Sequence, residues 1–168
     1  MSSNDLLADA FERVRDGLHP AVNGLSLEEL AFRPDEESNS IAWLVWHLTR
    51  IQDDHIASLD GREQVWMSNG WAERFALPLD LADTGYGHGP EDVAVVTAAD
   101  LLLIGYFEDV HEKTLGFVRS LTDTDLSRVV DKSWDPPVTV SIRLVSVIAD
   151  DLQHVGQAAY VRGILQRR

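Results

Sequence analysis

The sequence predicts an all-α protein: a four-helix bundle with a long irregular connection between its second and third helices. Two observations carry the helical reading. Four segments place apolar residues at steps of three and four, and the glycines and prolines gather where that periodicity fails. The chain of 168 residues reads as one domain over 1–168, long enough for a real core and short for two.

Leu7, Phe11, Val14, Leu18 and Val22 define an amphipathic first helix, predicted from about Asn4 to Asn23, with Pro20 expected to kink or shorten it. Ser26-Leu-Glu-Glu29 then has the form of a capping box, and Phe32-Arg33-Pro34 ends that turn. The second helix is predicted over roughly 40–59 from Ile41, Leu44, Val45, Leu48 and Ile51, with Gly61 just past its end. From Arg62 to Val96 the pattern fails, and only one short helix near Trp71 to Ala76 is expected. Connections of that length inside a compact domain are usually functional or laid across a groove. The third helix is expected to open at Thr97 and run through Leu101, Ile104, Phe107, Val110, Leu115 and Val118 to about Leu121. A second connection holds Ser133-Trp134-Asp135-Pro136-Pro137, and Thr139 or Ser141 opens a fourth helix reaching about Gln166. Leu25-Ser-Leu-Glu-Glu-Leu30 and Leu121-Thr-Asp-Thr-Asp-Leu126 echo each other, as a repeated helical pair in a bundle would.

Acidic residues number 28 against 14 basic ones, a formal net charge of −14. Such a chain repels phosphate backbones and anionic membrane surfaces, so neither nucleic acid nor membrane is expected as a partner. There is no cysteine, which excludes a disulfide framework, a cysteine zinc site and a protein thiol nucleophile. The opening Met1-Ser-Ser-Asn-Asp-Leu-Leu lacks a signal-peptide pattern, and no apolar run approaches the ~20 residues of a membrane span, so a soluble cytoplasmic protein is expected.

The most informative stretch is Asp150-Asp-Leu-Gln-His154. Steps of three and four draw one stripe through Val147, Asp150, His154, Ala158 and Val161. A carboxylate and an imidazole one turn apart on an otherwise apolar stripe must be paired, hydrogen-bonded or bound to a cation. His47, between Trp43, Leu44 and Trp46, shares a face with Leu44 and Ile51; read alone, it is also a neutral core histidine donating to a backbone carbonyl. Taken together, His47, Asp150 and His154 match the nitrogen and oxygen ligand sets of zinc or a similar divalent ion, with a position left open. Asp151 takes over from Asp150 if the helix is rotated. His55 lies about 80° around the helix from His47 and is a less natural ligand. Asp54 is read as a solvated acid or an outer residue of the site, Gln157 as facing the cavity or the surface, and His19 and His111 as surface residues. His88, in the long connection, either covers the site or is solvated.

These residues also carry a resemblance. Asn39-Ser-Ile-Ala-Trp-Leu-Val-Trp-His47-Leu and Asp150-Asp-Leu-Gln-His154-Val-Gly-Gln-Ala-Ala-Tyr-Val-Arg-Gly163 resemble the two signature helices of the DinB-like superfamily. That family includes mycothiol-dependent maleylpyruvate isomerase and the mycothiol and bacillithiol S-transferases. The resemblance implies an up-down-down-up bundle whose core holds a divalent metal on three side chains, with His47 as first ligand and His154 as last. Asp150 stands where many members have histidine and some glutamate. Zinc is the first expectation for the ion, with nickel or another divalent metal as alternatives. The implied activity is that of a transferase or isomerase in which a low-molecular-weight thiol, most plausibly mycothiol, attacks a small electrophile held under the Arg62–Val96 connection. A hydrolase using bound water and a non-catalytic metal- or ligand-binding bundle are the competing readings, and a homodimer is left open.

Overall fold

The computed structural model describes residues 2–168. Helix α1 (Ser3–Val22) opens on a capping box, in which Ser2 Oγ accepts from the Asp5 amide and the Asp5 carboxylate accepts from the Ser2 amide. Pro20 sits in its last turn, where the helix runs on to Val22, so the missing donor removes little. Helix α2 (Leu27–Ala31) has the expected Ser26–Glu29 box and buries Leu30. Helix α3 (Ile41–Asp60) is capped by Ser40 and ends at Gly61, whose φ of 69° is the left-handed conformation a side chain disfavours. Every residue from Ile41 to Arg50 is buried, including His47, Thr49 and Arg50, so α3 is enclosed on nearly all sides.

The connection after α3 is more ordered than its sequence suggests. It holds α4 (Val65–Ser68), α5 (Trp71–Phe75) and α6 (Pro90–Val95); only α5 was expected. Trp66, Trp71 and Phe75 cluster against Tyr106 at ring-centroid distances of 5.1, 5.9 and 5.9 Å. Helix α7 (Asp100–Ser120) starts three residues later than expected. Val96 and Ala98 are buried while Thr97 and Ala99 are exposed, the alternation of an extended strap rather than of a helical turn. Helix α8 (Asp123–Leu126) repeats the capping box of α2 with Thr122 and Asp125. The second connection contains an unforeseen antiparallel pair, β1 (Val129–Asp131) and β2 (Val138–Thr139), before α9 (Val140–Leu165), capped by Thr139.

Each of the four long helices packs on two others: α3 on α9 and α7, α1 on α9 and α7. Ion pairs Arg15–Glu108 and His111–Glu12 make α1 and α7 antiparallel, Gly17 facing Val155 with Arg162 donating to the Asn23 carbonyl makes α1 and α9 parallel, and Arg50–Tyr106 with Gln52–Thr114 makes α3 and α7 parallel. The order is therefore up-down-down-up, which sets α3 antiparallel to α9 along one seam. Among the described residues, no helix is long and apolar enough to cross a membrane.

One close approach gives a test of the packing. A Cβ at Gly105 would lie 2.7 Å from Trp71 Cη2, and the Trp71 ring is pinned by its Nε1–H bond to Asp109 at 2.8 Å. Helix propensity alone favours Gly105→Ala by about 1 kcal/mol, whereas overpacking a rigid ring costs about 1–3 kcal/mol. The net of up to about 2 kcal/mol should therefore lower the thermal unfolding midpoint of Gly105→Ala by up to about 8 °C, read by circular dichroism, and a rise would refute the packing account.

Candidate metal centre

The α3–α9 seam brings three side chains together. Helix α3 presents His47, and α9 presents Asp150 and His154 from successive turns. One ligand-capable atom from each lies within 4.8 Å of the others, the one such group of three among the described residues. The two imidazoles meet edge to face at 4.9 Å, and His154 Nε2 is 3.5 Å from Asp150 Oδ1.

The outer partners decide which ring atoms face inward. His47 Nδ1 donates to the Thr84 carbonyl at 2.5 Å, and because a carbonyl only accepts, the proton sits on Nδ1. His154 Nδ1 donates to the Gln157 amide oxygen at 2.8 Å. Both Nε2 atoms are left with lone pairs in the neutral rings, the arrangement that outer-shell acceptors impose on metal-ligating histidines. Asp150 Oδ2 is buried with no hydrogen-bond partner. Two imidazole nitrogens and an orphaned carboxylate oxygen fit a divalent cation of the zinc type.

The electrostatics separate the two rings. Burial is the largest influence on His47 and depresses its pKa. Burial also acts on His154, but hydrogen bonds to Asp150 and Gln157, with the Asp150 charge, outweigh it and raise the pKa. For Asp150, burial pulls upward and is overcome by the His154 hydrogen bond and the nearby imidazoles, leaving the carboxyl below its usual range.

The remaining candidates separate cleanly. Asp151 is fully buried on the stripe of Leu144, Val147, Val155 and Ala158, and Asp150 and His154 flank that stripe at intermediate burial, a small rotation from the expected face. Burial drives the Asp151 carboxyl well above its usual range, with the Asp150 charge adding to it. Asp54 accepts from Gln64 at 2.7 Å, and His55 lies beside it at 3.8 Å; neither joins the triad. His19 pairs with Glu108 at 2.5 Å on the α1–α7 side. His111 corrects the surface reading: it is buried, stacks on Phe107 one turn back at 5.5 Å, and reaches Glu12 at 3.3 Å. His88 covers the site, accepting from Trp43 Nε1 at 3.0 Å and contacting the Asp83 carboxylate at 2.9 Å.

Three contributors had weak or no sequence signal. Trp43 stacks on His47 at 4.6 Å with rings 15° apart, a contact latent in their i, i+4 spacing. Thr84 contributes only its carbonyl, which residue identity cannot reveal. Gly85, at φ 88°, passes so close that a Cβ would lie 2.8 Å from His47 Nδ1; its place in a glycine-rich run was the one hint. With Thr84, Gly85 and His88 packed here, the long connection closes the His47 side. A groove of about 730 Å³ opens nearby between the 34–39 turn and α9. Its wall includes Leu44, Gln153, Gln157 and Tyr160, and reaches the turn carrying His154 without including a ligand.

A mostly helical bundle with an N₂O side-chain triad across one helix seam is the class these features define. The model of the DinB superfamily matches residues 10–158, and the chain belongs to that superfamily. It is similar to a crystal structure described as the conserved protein of a locus from Enterococcus faecalis, at 32% identity and a TM-score of 0.93, covering 100% of this chain and 99% of that one. No curated protein matches.

The opposed shifts predict an order of protonation. In chelator-treated protein, NMR titration should show His154 gaining its proton above the ordinary histidine value of 6.5 and His47 only below it. Asp150→Asn should bring His154 back down; the reverse order of the two rings would contradict the geometry.

Proposed function

We propose that this DinB-superfamily chain is a divalent-metal-dependent transferase or isomerase that uses a low-molecular-weight thiol, most plausibly mycothiol, as nucleophile on a small electrophile. The observation that carries it is the convergence of His47, Asp150 and His154 with both Nδ1 protons already committed outward. These three side chains would hold a divalent ion, zinc first, and the chemistry it would supply is activation of a thiol near neutral pH. His47 and His154 supply neutral nitrogens, and Asp150 supplies the charge and the hard oxygen. Trp43, Thr84 and His88 exclude water from the His47 side. The groove beside Leu44, Gln153 and Gln157 is where thiol and electrophile are taken to enter. The absence of cysteine fits a nucleophile brought in by a cosubstrate.

Purified protein should take up about one divalent ion per chain, and the His47→Ala/His154→Ala double variant should take up none, read by elemental analysis. A chelator should lower the thermal midpoint of the wild type and leave the double variant unmoved, since an ion stabilises only the state it binds. Uptake should fall as acid protonates His154, because proton and metal compete for the same nitrogen.

The loaded wild type should accelerate thiol conjugation to a panel of small electrophiles, compared across mycothiol, bacillithiol, glutathione and cysteine. The double variant should not. Rates independent of every thiol would remove the transferase reading, and thiol-independent hydrolysis would assign the site to bound-water chemistry instead.

A further inference from the structure

Arg50 is fully buried one turn beyond His47 on α3, yet it makes no contact with the triad. Its guanidinium is answered by neutral oxygens. Nε donates to the Asp83 carbonyl at 3.0 Å, Nη2 to the Leu81 carbonyl at 3.4 Å, and Nη1 to Gln64 Oε1 at 2.7 Å and the Tyr106 hydroxyl at 3.4 Å. A buried cation without a carboxylate partner is a costly way to fill space, and an apolar side chain would do so more cheaply. What arginine uniquely offers is a rigid fork of diverging donors, here gripping two carbonyls of one irregular segment.

That segment is the one that orients His47. The residue after Asp83 is Thr84, whose carbonyl takes the His47 Nδ1 proton. The Asp83 carboxylate accepts from the Gly85 amide at 2.8 Å and binds His88, and His88 in turn accepts from Trp43, which lies flat on the His47 ring. The segment therefore meets His47 at its edge through Thr84 and on its face through Trp43. We propose that the Leu81–Gly85 segment, held to α3 by Arg50, is the positioning element of the centre, with Arg50 the residue that fixes the tautomer and orientation of His47. The affinity part of this proposal rests on the metal reading above; the tautomer part does not.

The test uses metal-free full-length protein and two readouts: the His47 ring tautomer by long-range ¹⁵N NMR, and affinity for zinc ion alone by competition titration. Wild type should show His47 as the Nδ1–H form. Arg50→Gln should give a tautomer mixture and bind zinc about 10–100-fold more weakly, the usual effect of removing an outer-shell partner, with Arg50→Lys between the two. Leu126→Ala, a destabilising change in the separate core cluster of Phe11, Leu121 and Val140, should leave the His47 signature unchanged, which separates positioning from general loss of stability. If Arg50→Gln does not fold, Asp83→Ala loosens the same segment from its partly exposed side and should shift His47 in the same direction. Folded Arg50 and Asp83 variants that keep the Nδ1–H form and bind zinc within about twofold of wild type would overturn the proposal. A tautomer shift in a protein whose wild type binds no zinc would retain the positioning element and remove the metal reading.

Discussion

Charge buried on α3 is the constraint from which much of the rest follows. Arg50 and Asp53 are both fully enclosed, and an unanswered charge there would cost several kcal/mol. The connection after α3 answers both. Asp53 accepts from the Val65 and Trp66 amides at 2.9 and 2.8 Å, and from the Tyr106 hydroxyl at 3.0 Å. Because Gln64 makes no side-chain cap, Asp53 serves as the N-terminal cap of α4 from another helix. Gln64 is instead spent between Arg50 and Asp54. A stretch with little propensity of its own is thus ordered by a few strong anchors on one helix.

The same division of labour explains how a soft-looking loop can serve a rigid centre. His47, Asp150 and His154 stand on long helices packed along most of their length, so their backbones are set by the bundle. Ring orientation is a separate matter, since an imidazole on a fixed backbone still chooses a rotamer and a tautomer. Thr84 and Gln157 settle that choice for the two rings, one from the connection and one from α9 itself.

Local signals in the sequence were dependable. The apolar periods found all four long helices, the Ser26–Glu29 box and its echo at Leu121–Leu126 fell on the short helices α2 and α8, and i, i+4 spacing joined Asp150 to His154. The failures are also instructive. Helix α4 depends on Asp53, twelve residues away from Val65, so no local pattern announces it. Helix α6 was readable, since Pro90 opens it and Asp92 accepts from the Gly89 amide, but the surrounding glycines masked it. Thr97 resembled a cap, and only the alternating burial of Val96 and Ala98 shows it to lie in an extended strap. His111 was misread because it borders the α7 core stripe, where Phe107 shelters it. The choice between Asp150 and Asp151 turned on a small rotation of α9, finer than periodicity resolves.

The triad also joins parts of the chain that are far apart, since about a hundred residues separate His47 from Asp150 and His154. An ion held as proposed would close a loop of that length, and by the loop-entropy model a covalent bridge there would be worth about 4–5 kcal/mol. A disulfide in the same place would be exposed to exchange with any small thiol admitted to the groove. An ionic staple between helices without cysteine is indifferent to that exchange. Its grip would follow metal supply and acidity instead, and a chain with no cysteine forms no mixed disulfide in a thiol-rich solution.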